Sequence, residues 1–126
     1  MIRVLLVVAA GGALGALARW ALGLAFPHPA GAFPWATFGI NVLGCLLMGV
    51  LIVEVAEVRR AHPLVRPFAG TGVLGGFTTF STYATDTDQL VAAGHAVTAL
   101  AYASATLVVA VAAVSAGSAL ARRAHR

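Results

Sequence analysis

Residues 67–85 are uncharged and about as long as one membrane span, but the middle of this stretch is unsuited to a regular helix. Four glycines precede the run Phe-Thr-Thr-Phe-Ser-Thr at 77–82, and glycine and β-branched threonine are both weak helix formers. In hydrocarbon, each backbone group that a break sets free needs another partner, such as an ion, a second chain or an aqueous path. Discontinuous membrane helices are places where ions bind. The stretch therefore predicts a membrane helix that is broken in the middle.

The composition places the whole chain in a membrane. Its 126 residues are enough for one domain, and with 60% hydrophobic and 10% charged residues it is too apolar for a soluble domain of this size. All eight basic residues are arginines, and the net charge of +4 comes from the chain ends and one loop. Because there is no basic face, we expect no nucleic-acid partner. The single cysteine, Cys45, lies in an apolar run, which excludes a disulfide framework and a cysteine metal site.

Apolar stretches separated by loops predict an all-α integral membrane protein, with four transmembrane helices in one domain that covers residues 1–126. The first stretch also has a feature of a cleaved signal peptide, because the Ala-Leu-Ala at 16–18 resembles a cleavage site. We interpret it as a span because it runs on past that site. Gly11 and Gly15 give it a small-xxx-small face suited to close helix packing. The predicted spans are residues 4–25, 36–53, 67–85 and 96–120.

Two polar side chains in the predicted spans each have two interpretations. Arg19 lies about two turns from the end of the first span, where an arginine can reach the interface. It is either an interfacial anchor beside Trp20 or a functional residue. Asn41 in the second span can donate two hydrogen bonds and accept at its carbonyl. It is either an interhelical contact or a donor to an anion, and the sequence leaves both questions open.

Two features of the third span suggest other functions but lack the required context. Residues 70–75 match G-x-G-x-x-G, but a dinucleotide site needs a preceding strand and a βαβ unit, which a short apolar chain does not offer. Ser81 has no His, Asp or Glu inside a span to act as its base, so nucleophilic catalysis is unsupported and we expect no enzyme. The lack of an acidic residue in the spans also argues against a small multidrug exporter.

The third span does offer hydroxyl donors without net charge, from the threonines and the serine at 78–82. Phe80 and Tyr83 are three residues apart and are therefore neighbours on one helical face. Because ring edges are electropositive, a small anion can pass ring edges, hydroxyls and an amide N–H without meeting a fixed charge that would trap it. Simple packing of the two rings is the commoner explanation of their spacing.

Three segments of the chain resemble motifs of the Fluc/CrcB family of fluoride channels. The Gly-Gly-Phe-Thr-Thr-Phe-Ser-Thr-Tyr at 75–83 is similar to the specific third-span signature of that family. Residues 11–20 and 37–44 are similar to its first-span and second-span motifs, in the same order and spacing. Length and four-span layout agree over essentially the whole chain.

The resemblance implies an antiparallel dimer with two pores and a structural Na⁺ at the dimer centre, which is not transported. In the family, backbone carbonyls at the helix break hold that ion, and the matching positions are Gly75 and Thr78. Carbonyl oxygens suit such a cation, and its fixed positive charge would favour a nearby anion. The positions that match the anion pathway of the family are Asn41, Phe80, Tyr83, Ser81, Thr82, Tyr102 and Thr106.

Two positions depart from the pattern of the family. Tyr83 stands where phenylalanine is usual, and its hydroxyl can add a donor to the path or obstruct it. Ala110 follows Thr106 by one turn, where the family has a hydroxyl. The function that the resemblance implies is passive export of F⁻ across the cell membrane, which reduces fluoride toxicity. The alternative is a weakly conducting subunit that supports the pores of a partner in a heterodimeric channel.

The arginines favour one orientation in the membrane. With four spans, seven of the eight lie on one side and at most Arg19 lies on the other, and the positive-inside rule places the arginine-rich side in the cytoplasm. A chain that forms an antiparallel dimer with itself has to insert both ways. We therefore expect an oppositely oriented homologous subunit as the partner, with a homodimer as the second possibility. The seven arginines are Arg3, Arg59, Arg60, Arg66, Arg122, Arg123 and Arg126.

Overall fold

A computed structural model describes residues 1–58 and 62–126, and every regular element in those residues is helical. The all-α prediction is therefore confirmed. In chain order the elements are α1 (Ile2–Ala25), α2 (Trp35–Val53), the π-helical segments Glu54–Val58 and Arg66–Leu74, α3 (Gly75–Phe77), α4 (Phe80–Ala92) and α5 (Ala96–Ala124). We call residues 66–77, which join the second π-helical segment to α3, the half-helix.

Among residues 1–58 and 62–126, three helices are long and apolar enough to cross a membrane, and the chain is therefore a multi-pass membrane protein. They are α1, α5, and α2 together with its continuation to Glu57. Most of their large apolar side chains are exposed at the surface of the subunit, as expected where lipid or another subunit takes the place of a core. The predicted third span, 67–85, is divided between the half-helix and α4.

Glycines bring α1 against the half-helix. A Cβ atom built on Gly11 would lie 3.0 Å from the Cα of Gly72, and one built on Gly15 would lie 2.7 Å from the nitrogen of Phe77. Packed carbon atoms do not normally come so close, so these positions require glycine. The residue numbers rise together along the two segments, which are therefore parallel. The small-xxx-small face of α1 lies in this contact.

Contacts at both ends show that α2 and α5 are parallel too. The ring of Phe33, just before α2, packs edge-on against Tyr102 near the start of α5, with centroids 5.3 Å apart. Glu57, just beyond α2, pairs with Arg122 near the end of α5. Between these points a Cβ atom on Gly49 would meet the backbone of α5. Two long apolar helices are thus held side by side by small residues.

The half-helix runs opposite to α2, and successive segments therefore alternate in direction. Gly70 lies near Leu51, whereas Gly44 lies near Thr78 at the other end of the half-helix. The beginnings of α1 and of the half-helix consequently share one end of the molecule with the ends of α2 and α5. The change from the half-helix to α4 lies about half-way along α2, beside Gly44, and Thr78 and Thr79 are half-buried there.

Candidate functional site at the helix break

The backbone is extended for two residues between the half-helix and α4. Thr78 has φ −75° and ψ 155°, and Thr79 has φ −148° and ψ 127°. Both are ordinary extended conformations, which β-branched residues favour. The run of weak helix formers thus ends one helix and allows the next to begin at Phe80.

Asn41 of α2 takes up backbone groups that the break sets free. Its Nδ2 donates to the carbonyl oxygen of Thr79 at 2.9 Å, and the N–H of Thr79 donates to Asn41 Oδ1 at 2.8 Å. The side chain of Asn41 is 8% exposed, so bulk water does not compete for its hydrogen bonds to Thr79. The sequence alone leaves open whether Asn41 is a helix contact or an anion donor. The first role is observed, and one of its two Nδ2 hydrogens is left over.

The hydroxyl of Thr79 caps the N-terminus of α4. Its Oγ1 accepts from the N–H of Thr82 at 3.1 Å and donates to Thr82 Oγ1 at 3.2 Å. Ser81 Oγ lies 3.2 Å from the same oxygen. Thr79 is one of the hydroxyl donors of the third span but is not among the site residues predicted from the sequence. Thr79 lies just before a new helix, where threonine is a preferred N-cap. This position could have indicated its role from the sequence.

Two carbonyls at the break lose the donors that a continuous helix would give them. The carbonyl of Gly75 would accept from the N–H of Thr79, and that of Thr78 from the N–H of Thr82. Those N–H groups donate instead to Asn41 and to the hydroxyl of Thr79. Gly75 is exposed, so its backbone is accessible from outside the subunit. These two positions are the ones that the resemblance matches to Na⁺ ligands.

Arg19 of α1 reaches the same place from the other side. Its Nε donates to the carbonyl oxygen of Gly76 at 3.1 Å, which puts a cation at the C-terminal end of the half-helix, where helix carbonyls carry partial negative charge. Arg19 also lines a surface cavity of ≈ 190 Å³ with Thr79 and Thr82. Of the two interpretations left open by the sequence, the structure gives Arg19 a specific contact at the break, while Trp20 beside it is exposed.

Three aromatic rings form a row from the subunit surface into its interior. The centroids of Phe80 and Tyr83 are 5.5 Å apart, and Tyr83 is again 5.5 Å from Tyr102. Phe80 is 76% exposed, whereas Tyr102 is fully buried. The hydroxyl of Tyr83 donates to the carbonyl of Ala103 on α5 at 3.2 Å. The hydroxyl of Tyr83, which a phenylalanine at this position would lack, therefore turns toward α5.

The predicted residues of α5 lie inside the subunit with their donors already committed. The Tyr102 hydroxyl donates to Asp86 Oδ2 at 3.3 Å, and Thr106 Oγ1 donates to the carbonyl of Tyr102 at 2.7 Å. Both side chains are buried. As hydroxyl oxygens they retain lone pairs, but their hydrogens are not free in this arrangement.

Asp86 is a feature that sequence analysis missed. We placed it just beyond the third span, whereas α4 continues to Ala92 and leaves Asp86 only 9% exposed. An acidic side chain is therefore buried in the helix that follows the break. The spacing of Tyr83, Asp86 and Leu90 follows one helical face, and this pattern could have indicated that the helix runs on.

The predicted site residues fall into two groups. The first surrounds the break, and the second extends from the exposed start of α4 along its contact with α5. The first group consists of Asn41, Gly75, Thr78, Ser81 and Thr82, and the second of Phe80, Tyr83, Tyr102 and Thr106.

Comparison with known proteins finds a family model and several similar proteins that match most of the chain. The model of a family described as CrcB-like protein, Camphor Resistance (CrcB), matches residues 6–118. The chain is 58% identical over 120 residues to fluoride-specific ion channel FluC 1 of Streptomyces coelicolor, an alignment that covers 95% of this chain and 78% of that protein.

Two further relatives match over most of their length. Fluoride-specific ion channel FluC 2 of Nocardia farcinica is 48% identical over 119 residues, covering 94% of this chain and 85% of that protein. Fluoride-specific ion channel FluC of Rhodospirillum centenum is 46% identical over 123 residues, covering 97% of this chain and 98% of that protein.

Proposed function

Because the chain belongs to the CrcB family, we propose that it is a fluoride-specific ion channel through which F⁻ leaves the cytoplasm passively, without a chemical reaction. Relatives with 46–58% identity bear the name of that activity. The observation in this chain that carries the proposal is the break itself. There, a two-residue extended backbone is held by Asn41 and bordered by hydroxyl groups.

The groups around the break suit weak recognition of a small anion. One Nδ2 hydrogen of Asn41 is not used for Thr79 and is available to an anion. Ser81 and Phe80 are exposed, so a hydroxyl and an aromatic ring, whose edge is electropositive, are accessible at the surface beside the break. None of these groups carries a fixed charge. Binding is therefore weak enough for the ion to leave, as conduction requires.

We propose that the half-helix and α4 together form the third of four membrane spans. A broken helix is tolerated in a membrane where protein groups satisfy its backbone. Asn41, Thr79 and Arg19 supply such groups here. The position of the break beside Gly44, half-way along α2, supports the same arrangement.

The proposed partner is a second, antiparallel subunit that docks beside the half-helix. A groove of ≈ 450 Å³ lies between α2 and the half-helix, with Leu51 and Ile52 on one wall and Gly70 and Gly75 on the other. The exposed backbone of Gly75 is costly against lipid, which favours a protein neighbour. A dimer with a twofold axis in the membrane plane would bring two such breaks together.

A Na⁺ ion is proposed between the two breaks, held by backbone carbonyls of Gly75 and Thr78. Their usual N–H donors are diverted to Asn41 and Thr79, so the residues present fit a cation that prefers oxygen ligands. When bound, the ion supplies a fixed positive charge in a low-dielectric region. The chain itself contributes the rigid placement of those carbonyls through Asn41 and the Thr79 cap.

The proposed partner is an oppositely oriented homologous subunit, with a second copy of this chain as the alternative. Of the seven arginines that predict one orientation, Arg59 and Arg60 lie outside the described residues. The other five stand at the end of the molecule shared by the starts of α1 and the half-helix and the end of α5.

The deciding experiment is fluoride efflux from proteoliposomes, with chloride efflux as the control for selectivity. The assay is run with this chain alone and with a coexpressed homologous subunit. We expect fluoride release without chloride release from the assembled form. Flux only in the presence of the homologue would show that the channel requires the oppositely oriented homologous subunit, and flux from this chain alone would favour the homodimer. Absence of fluoride flux from every assembled form would overturn the proposal.

A further inference from the structure

Every described arginine except Arg19 lies at one end of the molecule. Arg3 is in the first turn of α1 and Arg66 begins the half-helix, and these two segments are parallel. Arg122, Arg123 and Arg126 lie at the end of α5, which is parallel to α2 and therefore ends on the same side. The tertiary structure thus gathers into one surface charges that are far apart in the sequence.

Only part of this charge is neutralised by the protein. Arg122 makes a two-pronged contact with Glu57, with Nη2 2.8 Å from Oε1 and Nε 3.0 Å from Oε2. Glu54, the other acidic residue at this end, contacts His125. Four exposed arginines have no acidic partner among residues 1–58 and 62–126. These four, which we call the cationic end, are Arg3, Arg66, Arg123 and Arg126.

The helix lengths place the cationic end at the level of lipid headgroups. At 1.5 Å per residue, the 29 residues of α5 span about 43 Å, which exceeds the hydrocarbon thickness of about 30 Å. The part beyond the hydrocarbon is its C-terminal end, because arginine in hydrocarbon is costly, and the last turns, which carry Arg123, therefore lie in the headgroup layer. Long arginine side chains near span ends reach that layer as well, which applies to Arg3 and Arg66. Phosphate groups are the neighbours that such side chains meet there.

We propose that the cationic end is a binding surface for anionic phospholipid headgroups. A guanidinium group pairs with a phosphate through two parallel N–H donors, and four unpaired guanidinium groups favour a lipid with net negative charge over a zwitterionic one. The opposite end has no comparable surface in the described residues, since its exposed charge includes Asp88. Anionic lipid should therefore accumulate around each copy of this chain in one leaflet, the one that its cationic end faces.

The test measures which lipids stay bound to the full-length, assembled protein. The protein is reconstituted in nanodiscs that contain equimolar phosphatidylglycerol and phosphatidylcholine, and the lipids retained on release are counted by native mass spectrometry. We expect wild-type protein to retain phosphatidylglycerol in preference. The double substitution Arg123→Gln/Arg126→Gln should reduce that preference by about fivefold for each arginine removed.

Two variants and one condition serve as controls. Arg123→Lys/Arg126→Lys keeps the charge and should keep most of the preference. Glu57→Gln/Arg122→Gln removes the neutralised pair without changing the net charge, and should leave the preference unchanged. Raising ionic strength from about 0.1 M to about 1 M shortens the Debye length from about 10 to about 3 Å and should weaken the preference of the wild type.

Equal retention of the two lipids by the wild type would overturn the proposal, and so would a preference that survives both Arg123→Gln/Arg126→Gln and high salt. The salt dependence requires only wild-type protein, so the proposal stays testable if the glutamine variant fails to assemble. Lipid retention does not depend on ion conduction. A protein without fluoride flux but with phosphatidylglycerol preference would contradict the channel proposal alone.

Discussion

At the residue scale, the break depends on a few side chains that replace lost helical hydrogen bonds. Asn41 holds the backbone of Thr79 on both its N–H and its C=O, the hydroxyl of Thr79 caps α4, and Arg19 binds the carbonyl of Gly76. Each comes from a different helix or turn. Substitutions at these three residues should therefore distinguish effects on the backbone conformation of the break from effects on ion recognition.

Asn41→Asp replaces an amide donor by a carboxylate at the break. One oxygen can still accept from the N–H of Thr79, but the other faces the Thr79 carbonyl and repels it. We expect fluoride efflux to be abolished, with about 1–3 kcal/mol of stability lost, while the protein still assembles. Gln89→Glu adds the same charge at an exposed position of α4 and should leave efflux unchanged. Unaltered efflux in Asn41→Asp would remove Asn41 from the pathway.

Thr78→Ala tests whether a carbonyl or a hydroxyl serves the proposed Na⁺. The hydroxyl of Thr78 donates to the carbonyl of Leu74 at 2.9 Å, within the half-helix. Its removal should therefore be mild, and added Na⁺ should raise the melting temperature of the variant as much as that of the wild type. The measurement is thermal unfolding of purified protein in Na⁺ and in a large organic cation. Loss of the Na⁺ effect in the variant would assign the ligand to the hydroxyl.

Thr79→Ala should be the more harmful of the two adjacent substitutions. It removes the acceptor for the N–H of Thr82, and loss of such a cap costs about 0.5–2 kcal/mol. Thr79→Ser keeps the hydroxyl and should recover most of that stability. Thermal unfolding of the three proteins is the measurement. If Thr79→Ala and Thr78→Ala lowered the melting temperature equally, the cap would not contribute as the geometry indicates.

At the element scale, the position of the break is set by helix packing through glycines. The half-helix lies against α1 at Gly11 and Gly15, and against α2 near Gly44. These contacts bring Arg19 to the carbonyl of Gly76 and Asn41 to the backbone of Thr79. A substitution that pushes two helices apart at one of these glycines should therefore disturb the backbone of the break, although it changes none of the side chains there.

Gly15→Ala places a methyl group 2.7 Å from the nitrogen of Phe77, which the backbone cannot accept without shifting. We expect a loss of about 1–3 kcal/mol and reduced fluoride efflux, because the half-helix moves away from α1. Gly12→Ala is the matched control, since a methyl group there meets nothing within 4 Å. Efflux and thermal unfolding are compared for both variants. Equal behaviour would show that this contact does not position the break.

At the scale of the whole molecule, the chain is electrically asymmetric along the membrane normal. The arginines of α1, the half-helix and α5 collect at one end because successive segments alternate in direction. That asymmetry underlies both the proposed fixed orientation and the proposed binding of anionic lipid.

The orientation itself can be measured with reporter fusions at the C-terminus. When the chain is expressed alone, we expect signal only from the cytoplasmic side, because the positive-inside rule retains arginine-rich segments there. Accessibility of a cysteine introduced beyond Arg126 to an impermeant reagent gives an independent measurement, with Cys45 replaced by alanine. Comparable signal from both sides would refute fixed orientation and favour the antiparallel homodimer.

Much of the candidate site could be predicted from its residue types, but its hydrogen bonding could not. The run at 77–82 indicated a break, and the structure has extended backbone at Thr78 and Thr79. The backbone groups at the break bind side chains that are distant in the sequence. The carbonyl of Gly76 binds Arg19, more than fifty positions away, and the carbonyl of Thr79 binds Asn41 of another helix. No local pattern encodes such pairs, because they depend on how the helices pack.

The sequence by itself determined the all-helical membrane class, through long apolar stretches and few charges, and it indicated the family through local motifs. These properties follow from the hydrophobicity and helix propensity of neighbouring residues, which act over one or two turns. The tertiary structure alone decided which carbonyls lose their donors, that Asp86 is buried against Tyr102, and that distant arginines share one surface. Those properties depend on the direction and register of packed helices, which are set by contacts between residues far apart in the chain.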